Sequence, residues 1–545
     1  MDIVTDAPMD TPSVTDPFAK LPVEMLLRIT RHLPTTDLCN VRLVSRGTER
    51  ALFHSFGHEF FRRKQFMFTD YSLQALIDIS RHPELRLTLR HVSIGLDKLS
   101  NNLVQGFDNE DKAIQFQFAV AQQNSLLHTG RAVEMLSMAF ANLPNLETID
   151  IRDFNSHTRF RDGPSQPWRS YGFRHMQGLI GDAPGFILHD AKFASAAFSI
   201  ILAALARAKE RVTAAAKADD EDVDTDTKPV EKATVSPKNL EVLLRARHFG
   251  LENKAFDMTM APGANPGPLL AVINGLQRLH LDVNFCQDVG FNNINVVGSR
   301  GGQFQPASIA GLSFHAFFAH ASHIEWLRLN LQNSKHRRTD IFLSTLGKPL
   351  PESFPVVTSQ SFTPMSASSD STMPPKLHRL DLGHAEVSVP ELLSLLRRIP
   401  FLDSLSLWNI VLVDPNQNPN TSNASTPPNV WNVFLSELAA DPLAAQLRDF
   451  SIGNPRQLAN TSTMYSDPVT FDGSSSSRHR AGLTEPMAKY LQTLAAIAKL
   501  NVTQVIHPDN DGDDDEEGDS EDEEHDGDED DDDDDNDDDD SNAMT

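Results

Sequence analysis

Cysteine is nearly absent from this chain: two in 545 residues, Cys39 and Cys286. So few, so far apart, exclude a disulfide framework, and no Cys-x-x-Cys spacing offers zinc a pair of thiolates. Thiols used this sparingly fit a reducing compartment, so an intracellular setting is expected, cytoplasmic or nuclear. The opening MDIVTDAPMDTPSVTDP carries acids and prolines where a secretory signal has a basic start and an apolar run. Long apolar runs are missing too. The most apolar stretch, Phe193 to Ala206, spans about 14 residues before Arg207 and predicts a buried helix, since a membrane span needs roughly 20.

Catalytic signatures are equally scarce. There is no Gly-x-Ser-x-Gly elbow, and Gly298-x-x-Gly301-Gly302 lacks the lysine and following helix of a phosphate-binding loop. His315, His320 and His323 crowd one segment, but on one helix they do not converge as zinc ligands do. They read as the rim of a helix that precedes a strand at Ile324. No catalytic residue, metal or cofactor is expected, and the chain does not read as an enzyme.

What is abundant is acid, and it is concentrated. The formal charge is −27, yet residues 509–540 alone hold 25 Asp and Glu, so the remainder is close to neutral. Such a run repels itself and predicts a disordered tail over 509–545. It repels nucleic acid and anionic membranes and attracts basic proteins, so neither of the first two is expected as a direct partner. Proline, serine and charge also cluster at 217–238, 347–376, 413–429 and 467–480, which predicts disordered inserts. Residues 1–16 predict a disordered arm.

Residues 17–68 hold three short amphipathic helices. Leu26, Ile29 and Leu33 share one face of a helix that Pro22 can open. Thr36 can cap a second helix carrying Leu38 and Val41, and Ser45 a third with Leu52, Phe53 and Phe56. The order Leu21-Pro22-x-Glu24, Leu26 to Ile29, Asp37-Leu38 and Arg42-Leu43-Val44-Ser45-Arg46 resembles the F-box. That resemblance implies docking on the Skp-type adaptor of a cullin ubiquitin ligase. The adaptor-facing and core residues it implies are Leu21, Pro22, Leu26, Ile29, Leu33, Leu38, Val41, Leu43 and Val44.

From residue 85 to 505 one phrase returns: apolar, two residues, apolar, one residue, apolar. It starts at Leu89, Leu146, Leu276, Ile324, Leu377, Leu402 and Leu447. Its last three positions alternate as a strand with one buried face does. Between Leu377 and Leu402 the gap is 25 residues, with Pro390 opening a helix, and the phrase resembles an irregular leucine-rich repeat. A further copy is expected near Leu240-x-x-Leu243. The fold class is therefore α/β: a three-helix F-box, then an irregular leucine-rich-repeat solenoid with disordered inserts and an acidic tail.

The function this combination implies is substrate recognition in a Skp–cullin–F-box ubiquitin ligase, with a protein substrate of unknown identity on the repeat body. The residue between the last two apolar positions of each phrase points away from the core. Those candidates for substrate contact are Ser93, Asp150, His280, Arg328, Asp381, Ser406 and Ser451. The alternative is a non-catalytic scaffold or chaperone that holds basic proteins through its acidic tail.

Overall fold

The computed structural model describes residues 18, 21–100, 109–155, 160–162, 169–180, 190–221, 236–245, 249–257, 266–285, 312–334, 336–348, 373–414, 429–458, 466–480 and 486–501. Three helices come first: α1 (Val23–Thr30), α2 (Thr35–Leu43) and α3 (Arg46–Phe61). Pro22 sits at the N-cap of α1, and the Ser45 hydroxyl caps α3 by accepting from the Thr48 N–H at 3.1 Å. The second cap is not Thr36. Pro34 holds that position, and Thr35 is the first residue of α2. Leu26, Leu38, Leu52 and Phe60 close a small core of their own, with Leu33, Val41 and Phe56 packed against it.

α3 runs directly into a strand, β1 (Arg63–Met67). Residues 63–67, expected to belong to the helical module, therefore begin the sheet. The parallel ladder continues through β2 (His91–Gly95), β3 (Thr148–Arg152), β4 (Asn239–Leu243), β5 (Arg278–Val283), β6 (Trp326–Ser334), β7 (Arg379–Ser388) and β8 (Ser404–Trp408). Each strand pairs with the next one in the chain. Parallel neighbours in such an order are joined by crossovers, and helices of these connections pack on one face of the sheet. All apolar positions of the seven phrases are buried, none more than 6 % exposed, because they face those helices. The eighth copy is phased differently: Leu240 and Val242 are the buried pair, with Pro237 where the first apolar residue would stand.

The helix beginning at Ala191 does not stop at Arg207. It runs to Glu221, into the segment from 217 expected to be disordered. By length and composition it could cross a membrane, yet 67 % of its most apolar window is buried in this fold. Phe193, Phe198, Ile201 and Leu205 all lie in the main core, as the sequence predicts.

The sheet forks at β7. Arg379–Gly383 pair with β8, whereas Glu386–Ser388 pair with β9 (Val411–Val413). One branch goes on from β8 to β10 (Asp449–Gly453); the other goes from β9 to β11 (Arg456–Leu458) and β12 (Ser466–Phe471). Antiparallel β13 (Ser476–Arg480) closes the first branch, and β14 (Ala498–Leu500) the second. Residues 467–480, expected from their serine run to be disordered, thus supply two strands. Val413 likewise belongs to a strand, and Asn429 caps the helix Val430–Ala440. Each fork is made by one left-handed residue at the same height: His384, Asn409 and Asn454, with φ of 53°, 50° and 46°. Asparagine and histidine adopt that conformation more readily than most residues.

Residues 1–16, the glycines at 298–302, Cys286, most of the inserts at 222–235, 349–372 and 415–428, and the tail 509–545 lie outside the described residues.

Candidate protein-interaction surfaces

The helical module divides its implied residues into two sets. Leu26 and Leu38 are 2 % and 4 % exposed and hold the three helices together; Leu33 and Val41 flank them, half-buried. Leu21, Pro22, Ile29, Leu43 and Val44 are exposed, and Val23 and Met25, which the sequence reading passed over, join them. Leu43 reaches 82 %. These side chains come from α1, from the end of α2 and from the residues beside them, so the module presents apolar surface there after its own core is complete.

A segment of the body fastens this module. Arg161 donates to the Thr30 and Leu33 carbonyl oxygens at 2.8 and 2.6 Å, filling acceptors left open at the end of α1. Its other nitrogens pair with Glu59 on α3 at 2.5 and 2.6 Å. The neighbouring Asp162 carboxylate accepts from the Thr35 N–H and hydroxyl at 2.8 and 2.6 Å, standing in for the cap that Pro34 cannot supply. No local pattern marks Arg161 and Asp162 in the sequence, because their partners are more than a hundred residues away.

The second surface is the sheet face opposite the main core, covered at its β1 end, where Met67 packs on Phe116, Val120 and Met176. The predicted substrate residues form one rank across it, strand by strand: Ser93, Asp150, Glu241, His280, Arg328, Asp381, Ser406 and Ser451 are successive register partners. Glu241 is the member that sequence reasoning missed. The alternation Leu240-x-Val242 would have found it, had the phrase been placed three residues earlier.

The rank is not uniformly open. Ser93 and Asp150 are fully buried, His280 and Asp381 nearly so, Ser406 and Ser451 half-buried, and Arg328 exposed. At the β1–β3 end the segment around Phe154 and Ser170 closes over the sheet. Gln65 Nε2 donates to Ser170 Oγ at 3.0 Å and to the Phe154 carbonyl at 3.4 Å. Ser170 Oγ donates to Asp97 at 2.5 Å, and burial pushes that carboxyl above its ordinary value. Asp150 is held by Arg63 at 3.3 Å, by His91 at 2.7 Å and by Arg152.

Further along, Trp326 lies between two guanidinium groups. Arg278 and Arg379 stand 3.8 and 3.7 Å from its ring centre, and register pairing places the three side by side on β5, β6 and β7. Trp326 Nε1 donates to Asp381 at 2.9 Å, and Arg379 grips the same carboxylate with two nitrogens. His280 meets the Trp326 ring edge-on. Burial first, then Arg328, Arg278 and Arg379, hold its imidazole well below the usual value and so neutral. On the same strand Asp282 is completely buried, and burial raises its carboxyl to about 6 against the opposing bonds from the Leu244 N–H and Asn330.

The histidines at 315, 320 and 323 go separate ways. His315 is buried against Phe342 and bonds Thr345, whereas His323 reaches Asn274 at the surface. Among the described residues no group of His, Cys, Asp or Glu is placed to hold a metal ion.

Residues 18–54 match the family model described as F-box-like. No curated protein matches the chain. Among solved structures, the leucine-rich repeat-containing protein LegL7 from Legionella pneumophila aligns over 80 % of this chain and 98 % of its own, at 9 % identity and a TM-score of 0.23. The chain thus carries an F-box-like domain at 18–54, followed by a body built on a long, mostly parallel sheet.

Proposed function

We propose that this protein is the substrate-recognition subunit of a Skp–cullin–F-box ubiquitin ligase. The helical module would bind a Skp-type adaptor, and the sheet face opposite the main core would hold a protein substrate. One observation carries the reading: the F-box core is already closed by Leu26, Leu38, Leu52 and Phe60, yet Leu21, Val23, Met25, Ile29, Leu43 and Val44 remain exposed beside it. Apolar side chains left exposed beside a closed core support an interaction site there. Catalysis in such an assembly is by proximity, with the transferase chemistry supplied by other subunits.

The test is adaptor capture by the full chain, wild type against Ile29→Asp. Ile29 is 45 % exposed, so the charge leaves the fold intact while desolvating badly in an interface. Adaptor affinity should fall at least about tenfold with an unchanged melting temperature. Equal capture of both proteins, or none by the wild type, refutes the adaptor reading.

A further inference from the structure

Across the open half of the sheet face, carboxylates and guanidinium groups occupy different depths. Glu241 and Asp381 have side chains 12 % and 11 % exposed, while the arginines paired with them, Arg278 and Arg379, are 34 % and 36 % exposed. The layering recurs at both ends: Arg63 at 46 % lies over fully buried Asp150, and Arg478 at 61 % over Asp449 at 21 %. The acids cancel charge from beneath, but a partner touching this face meets guanidinium edges.

These cations are also held in place. Trp326 is stacked between Arg278 and Arg379, and Asp381 fixes both Trp326 and Arg379. Arg278 has only a loose contact with Glu241, at 3.9 Å. Arg328 is exposed between them and makes no ion pair among the described residues. A guanidinium has five N–H donors, and most of those on Arg278 and Arg328 are unused here. Side chains already ordered by stacking lose little entropy when a ligand binds.

We propose that the β5–β7 face, centred on Arg328 with Arg278 and the Trp326 stack, is a docking site for an acidic peptide segment of a partner protein. This rests on the reading of the repeat body as the substrate-holding part, and it names the chemistry of that substrate: closely spaced carboxylates that enter the unused donors of Arg278 and Arg328. Because the anchoring acids lie below the arginines, a partner's carboxylates need not displace Asp381.

The experiment measures fluorescence anisotropy of a glutamate-rich peptide, and of its glutamine counterpart, against the full chain. Near physiological salt the screening length is about 8 Å, which limits repulsion from the carboxylates at 509–540. The glutamate peptide should bind, the glutamine peptide should not, and added salt should weaken the complex. Arg328→Glu and Arg278→Glu should each lower affinity about tenfold or more, through like-charge repulsion. Arg328→Gln, which cannot misfold by burying a charge, should lower it less. Equal binding of both peptides, binding of neither, or full affinity in all three variants overturns the proposal. Adaptor capture run on the same proteins separates the two readings: the arginine variants should keep the adaptor, and Ile29→Asp should keep the peptide.

Discussion

At the scale of single residues, burial decides what each charged group does. Asp282 and Arg328 are neighbours in the same part of the sheet, yet one is sealed and the other is open to water. The Asp282 carboxyl is raised to about 6 by burial, above the roughly 3.9 of an unfolded chain. Between those values the folded protein keeps a proton that the unfolded chain has shed. Its stabilising contribution is therefore present at low pH and lost as pH rises through about 6. The stability of wild type relative to Asp282→Asn, measured by chemical denaturation, should fall from pH 4 to 6 and stay level above. A flat difference across that window would show that Asp282 does not titrate there. None of this could be read from the sequence, because Asp282 has the same local pattern as an exposed strand residue.

At the scale of elements, alternation was the strongest signal, and its failures are instructive. Seven strands were marked by apolar residues at fixed spacing, since each must bury one face against a helix. β1 escaped because Lys64 stands where an apolar residue would complete the phrase, and β4 because Pro237 does. The corners at His384, Asn409 and Asn454 were also visible in principle, as a turn-tolerant residue two places after each last apolar position. For the candidate site, the order of the rank was legible and its accessibility was not: alternation says which way a side chain points, while cover over Ser93 and Asp150 comes from residues far along the chain. The F-box staple belongs here too. Arg161→Ala removes two bonds to helix-end carbonyls and the pair with Glu59, with hydrogen bonds to charged groups worth about 1.5–3 kcal/mol. Hydrogen exchange should quicken across α1 and α2 and stay unchanged in β5–β7. Unaltered protection in α1 and α2 would mean that packing alone seats the module.

At the scale of the whole molecule, each strand of the main ladder leans chiefly on its two neighbours, so damage should travel by adjacency. Leu279→Ala and Phe450→Ala both open fully buried positions and should cost about 2–5 kcal/mol locally. The first lies mid-ladder and should lower amide protection in β4 and β6 together. The second lies near one end and should affect β8 and β13 while β1–β4 keep theirs. Uniform loss of protection in both variants would instead indicate one indivisible cooperative unit.

The unbroken rank of register partners from Ser93 on β2 to Ser406 on β8 also turns their face of the sheet into a ruler. Its graduations are adjacent strands, about 4.8 Å apart. Along an extended peptide, side chains on one side recur every ~6.7 Å, out of step with that scale after a single interval. Along a helix they recur each turn, ~5.4 Å, and over two intervals the slip is only about 1 Å, within the reach of an arginine. A helix lying across the strands with one carboxylate per turn therefore matches the graduations at β5, β6 and β7, where an extended chain of the same composition does not.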